Sequence, residues 1–300
     1  MLYLGSISTV DMFFDVRRNN RKVLGFLIFL LAFPQVCSSA TSPEDYLSYG
    51  DDSLSRGLYS EAIEFYKEGI EGLDDDESLL TKISLKTNLA TALSSSGQNA
   101  EAISQYRSAI EAYNEEIDNI TDTKVTEDAK SIASQSAFFL GMELQDAGQA
   151  EKAVEAYGYA VVLDSKHWSA LANLGSVLHD ALRNHDEALA AYNKAYELLT
   201  TDGLEPTDPP SEPRFILSQL QYRIGLCLNH DHTRKCALGD EPEKQVSCQE
   251  MATHAFSLAV NYDPDNESAK HMLATVTADA TMKRASNTYV KNLFDDYAQK

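Results

Sequence analysis

The stretch Leu140-Gly141-Met142-Glu143-Leu144-Gln145-Asp146-Ala147-Gly148-Gln149-Ala150-Glu151-Lys152-Ala153-Val154-Glu155-Ala156-Tyr157 decides how this chain folds. An apolar residue is followed by a glycine, and twelve residues on comes an alanine, Ala153, with an aromatic, Tyr157, four residues after it. The same order appears at Tyr49-Gly50 with Ala62 and Tyr66, and at Leu89-Ala90 with Ala102 and Tyr106. It returns at Leu174-Gly175 with Ala188 and Tyr192, one residue longer, and at Ile224-Gly225 with Ala252 and Phe256, where fifteen extra residues intervene. Small residues at these positions let two antiparallel helices approach, and the aromatics fill the gap to the next hairpin. Gly97-Gln98-Asn99 and Gly148-Gln149-Ala150 sit where a helix ends and the chain turns, with Asn184-His185-Asp186 expected in that part in the fourth copy.

Outward from this core pattern, the small positions 50, 90, 141, 175 and 225 are separated by 40, 51, 34 and 50 residues, so insertions stretch the array. Asp74-Asp75-Asp76-Glu77 reads as a solvated connector, and residues 113–130 as an extended helix end plus an acidic linker. The prolines between Glu205 and Pro213 read as a stiff loop. The five copies resemble tetratricopeptide repeats over roughly residues 43–275. The resemblance implies an all-α, right-handed solenoid of about five helical hairpins with a capping helix over 276–300. Repeats one and two fall at 43–112, three and four at 131–200, and five at 214–275, after a Pro-rich loop at 201–213.

Composition bounds the rest. Lys+Arg 25 against Asp+Glu 46 gives a formal charge of -21, a field that repels phosphate backbones, so nucleic acid is not an expected partner. Residues 1–40 differ in kind: Arg17, Arg18, Arg21 and Lys22 precede an apolar run from Val23 to Phe33, and Ser38 and Ala40 supply a small-residue cleavage site. That order predicts a signal peptide cut after Ala40 and entry to the secretory pathway, as a lumenal or secreted protein. A signal anchor that reaches the membrane only through this segment is the alternative. Cys227, Cys236 and Cys248 remain after cleavage, and Asn119-Ile120-Thr121 and Asn266-Glu267-Ser268 are candidate glycosylation sites.

The resemblance implies a concave groove, lined by the first helix of each hairpin, that holds a peptide or a partner helix. Its candidate residues are Leu47 and Asp51 in repeat one, Phe138, Met142 and Gln145 in repeat three, Asn173, Ser176 and His179 in repeat four, and Tyr222 and Asn229 in repeat five. Phe138 and Met142 either form an apolar anchor there or, with the helix slightly rotated, enter the core. Chaperone-binding relatives grip a C-terminal carboxylate with Lys, Arg and Asn. Asn88 and Asn173 match that clamp, but Asp51 stands where Asn is needed, and Leu47, Phe138 and Ala172 where polar members belong. A basic or apolar segment is therefore the expected ligand, not a chaperone tail.

Cys227, His230, His232, Cys236 and Cys248 are close in sequence. Lacking any C-x2-C spacing, they favour a Cys236–Cys248 disulfide over zinc, so no metal is expected, and Cys227 reads as a buried free thiol. No G-x-G-x-x-G, G-x4-G-K-[ST], H-E-x-x-H or G-x-S-x-G occurs, so no catalytic residue and no cofactor is expected. Tyr289-Val290, Leu293-Phe294-Asp295 and Tyr297-Ala298 resemble the junction at which repeats of this kind meet a class I S-adenosylmethionine-dependent methyltransferase. That resemblance implies a second expectation, in which the chain is the substrate-recruiting arm of such an enzyme and its catalytic part is missing after Lys300.

Overall fold

The computed structural model describes residues 42–74, 77–201, 212–230, 235–238 and 241–277. The expected signal segment, the Pro-rich loop up to Ser211, and the methyltransferase-like stretch with most of the expected cap lie outside the described residues. Five hairpins pair α1 (Pro43–Ser55) with α2 (Tyr59–Glu71), α3 (Leu79–Ser95) with α4 (Asn99–Glu116), α5 (Thr123–Asp146) with α6 (Ala150–Leu163), α7 (Trp168–Asp180) with α8 (His185–Thr201), and α9 (Glu212–Asn229) with α10 (Cys248–Tyr262). α11 (Glu267–Val276) packs on α10. Each second helix also packs on the first helix of the next hairpin, which makes the array a solenoid. Among the described residues no helix is long and apolar enough to cross a membrane.

The repeat pattern has a direct steric reading. A Cβ built on Gly141 would lie 2.6 Å from Tyr157 Cδ1, one on Gly175 2.8 Å from Tyr192 Cε1, and one on Gly225 2.5 Å from Phe256 Cε1. In repeat one the same contact, Gly50 to Tyr66 Cε1, would close to 2.2 Å. In these four repeats one edge of the aromatic ring thus fills the space that a side chain at the glycine position would need. Tyr66, Tyr106, Tyr157, Tyr192 and Phe256 are at most 2% exposed, and the alanines Ala62, Ala102, Ala153, Ala188 and Ala252 are fully buried. A second registration is specific to repeats three and five: Ser134 Oγ donates to the Ala160 carbonyl at 2.9 Å, and Ser218 Oγ to the Ala259 carbonyl at 2.8 Å. These bonds tie each first helix to the last turn of its second.

Turn chemistry agrees with the sequence at Gly97 (φ +84°) and Gly148 (φ +69°), where the chain takes the left-handed conformation that glycine adopts without steric cost. In repeat four that conformation falls on Arg183 (φ 55°), not on the Asn184-His185-Asp186 stretch. Arg183 is exposed, so its Cβ strain is the only cost of the turn. Arg183→Gly is expected to stabilise the chain by about 0.5–1 kcal/mol, read as a rise in the urea midpoint at unchanged slope.

Residues 113–130 are more ordered than a linker. α4 runs to Glu116, a 3-10 turn spans Ile117–Asn119, and Asp122 caps α5 by accepting from Lys124 N (2.9 Å) and Val125 N (3.2 Å). Ile117 and Ile120 pack against a cluster of Leu79, Ile83, Tyr113, Ala129 and Leu163, so the insertion enlarges the core between hairpins two and three. The insertion in repeat five also departs from the expected loop. It forms an antiparallel ribbon of β1 (Lys235–Leu238) and β2 (Glu241–Ser247), the one sheet among the described residues of an otherwise helical fold.

Candidate groove along the first helices

The first helices α1, α3, α5 and α7 approach one another in turn, while second helix to second helix approaches are weaker, so the stack bends toward the face those first helices share. That face carries a ladder of polar contacts. Tyr66 Oη donates to Asp51 Oδ1 at 2.7 Å, and Asn88 Nδ2 donates to the same oxygen at 2.8 Å, joining α1 to α3. Thr91 Oγ1 and Tyr106 Oη are 3.1 Å apart. Tyr157 Oη donates to Gln145 Oε1 at 3.0 Å and accepts from Asn173 Nδ2 at 3.4 Å, joining α5 to α7. The conserved geometry of the pattern therefore has two ends: the ring covers the small residue, and the hydroxyl emerges among the first helices. Burial holds the Tyr66, Tyr106 and Tyr157 hydroxyls well above the ordinary phenol range, with Asp51 adding to the effect at Tyr66, so all three stay protonated and able to donate.

Between α3 and α5 the ladder holds a carboxylate. Glu143 is 7% exposed; Ser94 Oγ donates to its Oε1, while its Oε2 is buried without a hydrogen-bond partner. A buried carboxyl oxygen left without a hydrogen-bond partner costs free energy until a donor reaches it. At the α7 to α9 step, Asp180 bridges two helices: Arg223 Nη1 donates to both carboxylate oxygens at 3.1 and 2.8 Å, and Ser176 Oγ donates to Oδ2 at 3.2 Å. Burial raises the Asp180 carboxyl, but His179 and the Arg223 guanidinium outweigh it and hold it well below the usual carboxylate range.

Of the expected groove residues, Asp51, Gln145, Asn173 and Ser176 sit on this ladder, and Leu47 and Met142 are half-buried. Phe138 is a correction. It is 3% exposed, its ring 5.5 Å from Phe139, 5.9 Å from Tyr157 and 4.9 Å from His167 between centroids, so it belongs to the core and offers no surface anchor. Tyr222 packs 6.1 Å from the Phe256 ring, and Asn229 Oδ1 is buried without a partner. His179 also joins a cluster with His185, 4.9 Å away between ring centroids, and Cys227. His230 stacks on His185 at 4.3 Å. The sequence reading grouped Cys227 with His230 and His232, and missed His179 and His185 because they lie one repeat earlier. Their signal was positional: four and ten residues after Gly175, next to a thiol two residues after Gly225.

Cys227 is a free buried thiol, as expected, and Cys248 is disulfide-bonded; the Cys236 side chain lies outside the described residues. Asn266 is the second correction. Only 7% exposed, it caps α11 by accepting from Ala269 N at 3.0 Å and donates Nδ2 to Ser218 Oγ at 2.9 Å, so no glycan fits on it in the folded chain. Asn119 is exposed. A second cleft, of about 440 Å³, opens between α4, α5 and α6, lined by Arg107, Glu111, Leu140, Leu144, Lys152 and Glu155.

Stacked antiparallel hairpins with a polar face along their first helices define a helical-repeat interaction scaffold. Tetratricopeptide repeat profiles match residues 83–116, the α3–α4 hairpin, and residues 140–203, from the end of α5 through α8. The chain thus carries tetratricopeptide repeats over these residues, a fold generally used to bind other proteins and generally non-catalytic. It is similar to the solved apo form of RapI at 14% identity and a TM-score of 0.59, covering 85% of this chain and 63% of that one. It is similar also to YrrB, a TPR protein with an unusual peptide-binding site, at 17% identity and a TM-score of 0.50, covering 77% of this chain and 92% of that one. These likenesses concern the fold. No curated protein matches the chain in sequence.

Proposed function

We propose that the face of α1, α3, α5 and α7 binds an extended or helical peptide segment that is basic and apolar. The observation that carries this reading is the half-satisfied Glu143 carboxylate, set where α3 meets α5, on a set of first helices that also carries Asp51, Asp146 and Asp180. A lysine or arginine from a partner supplies the donor that Glu143 Oε2 lacks, and the chain's overall -21 charge steers such a partner inward. A carboxylate tail is disfavoured for the same reason. The two clamp-like asparagines are also already engaged, Asn88 by Asp51 and Asn173 by Tyr157.

The test is fluorescence anisotropy with a Lys/Leu amphipathic peptide against its Glu/Leu counterpart. Binding only of the basic peptide, weakened by salt and by about tenfold or more in Glu143→Gln, is the expected result. Equal binding of the acidic peptide, or no effect of Glu143→Gln, overturns the reading.

The compartment we propose is the secretory pathway. The basic-then-apolar order of residues 17–33 and the disulfide at Cys248, for which Cys236 is the nearest partner in sequence, support it. Expressed in a secretory host, the chain is expected to carry a glycan on Asn119 alone. Asn119→Gln removes the endoglycosidase-sensitive mobility shift and Asn266→Gln leaves it; a chain without any such shift contradicts the localisation.

A further inference from the structure

We propose that His179, His185 and Cys227 bind a zinc-class divalent cation at the junction of α7, α8 and α9. One donor atom from each of the three lies within 4.8 Å of the others, and the three come from three different helices. Two imidazoles and a thiolate form a borderline-soft set that selects zinc over the hard, oxygen-seeking cations. Tetrahedral coordination requires the donor atoms to stand about 3.3–3.6 Å apart, a closure that side-chain rotation supplies from the observed spacing.

Three further features prepare the cluster. His179 Nδ1 is engaged by Asp180 Oδ1 at 2.8 Å, which orients the ring and leaves Nε2 as its metal-facing nitrogen, the carboxylate-to-histidine arrangement that commonly backs a zinc ligand. His185 Nδ1 is buried and has no hydrogen-bond partner, a condition that bare packing of aromatic rings leaves costly. His230 donates Nδ1–H to the Cys227 carbonyl oxygen, so its Nε2 keeps a lone pair, and stacked on His185 it is the adjacent imidazole able to complete a four-ligand shell.

One anionic ligand offsets half of the cation's charge. A divalent cation adds +2 and the Cys227 thiolate -1, while Asp180 and Arg223 cancel each other, so the cluster carries +1 within a chain of formal charge -21. Binding replaces the S–H bond with an S–metal bond, and the thiol proton leaves to solvent. Without metal, burial pushes the Cys227 thiol up to about 12, and burial also keeps His185 below its ordinary range and therefore neutral. The bound cation reverses the first effect and uses the second. Its structural consequence is a clip between repeats four and five, adding to the Asp180–Arg223 bridge.

The full chain, stripped with chelator and dialysed, is titrated with Co2+. Expected are a thiolate-to-cobalt charge-transfer band and the intense visible bands of a four-coordinate ion, saturating at one equivalent and lost on addition of Zn2+. Cys227→Ser and His185→Ala each abolish the charge-transfer band, and Asp180→Asn weakens binding about 10–100-fold. His254→Ala, on an exposed position of α10, leaves it unchanged. Zn2+ raises the thermal midpoint of the parent chain and of His254→Ala only. Absence of a charge-transfer band in the parent, or its persistence in Cys227→Ser, overturns the proposal. If circular dichroism finds Cys227→Ser unfolded, persistence of the band in folded His185→Ala overturns it equally.

Discussion

Tyr157→Ala is expected to destabilise the chain by about 3–5 kcal/mol, the range for removing a buried aromatic from a packed core. Tyr157 is fully buried, its ring lies against the backbone at Gly141 and beside Phe138, and its hydroxyl joins Gln145 on α5 to Asn173 on α7. One side chain therefore holds a hairpin closed and couples it to the next. In a solenoid, where each repeat is stabilised by its neighbours, the loss in the middle of the array also lowers cooperativity. Thermal unfolding is expected to shift down by roughly 6–20 °C and to broaden. Tyr157→Phe isolates the hydroxyl and costs only about 1 kcal/mol. A Tyr157→Ala loss no larger than that of Tyr157→Phe would contradict the packing assigned to the ring.

The second large effect separates two glycines in adjacent helices. Gly141→Ala is expected to destabilise by about 1–3 kcal/mol, because its new Cβ would stand 2.6 Å from two atoms of the buried Tyr157 ring, which has no open space to move into. Gly158→Ala, in the interior of α6, has nothing within 4 Å of the added Cβ and is expected to stabilise by about 0.5–1 kcal/mol through reduced chain entropy and better helix propensity. Opposite signs in matched urea titrations are the expected result. Two shifts of the same sign would show that the small position is not set by the aromatic.

Those two predictions rest on residues that could be read from the chain alone. The glycine, alanine and aromatic positions recur at fixed spacing because each solves the same local problem in each hairpin, and repetition makes the solution visible. Where the chain solves a problem once, it was not visible. Phe138 occupies a position that faces the groove in the ideal repeat, but its ring packs against His167, a residue from the next hairpin, and is buried in the core. Arg183 takes the left-handed turn because the extra residue of repeat four moves the turn by one position, which spacing alone cannot register. Asn266 reads as a glycosylation triplet, yet the same side chain is an N-cap bound to Ser218, a partner 48 residues away.

The groove was legible only in part. Asp51, Gln145, Asn173 and Ser176 follow from register, but the unsatisfied oxygen of Glu143 depends on how closely α3 and α5 approach, and the imidazole–thiol cluster depends on contacts between repeats four and five. The strands of the β-ribbon carry no apolar alternation strong enough to announce them.

The most direct test of the central claim is hydrogen–deuterium exchange on the full chain with and without a saturating Lys/Leu amphipathic peptide. The account predicts slowed exchange in α3, α5 and α7, strongest around Glu143, with α4 and α6 unchanged. Protection of α4 and α6 around the cleft they form with α5, with α3 and α7 unchanged, would contradict it.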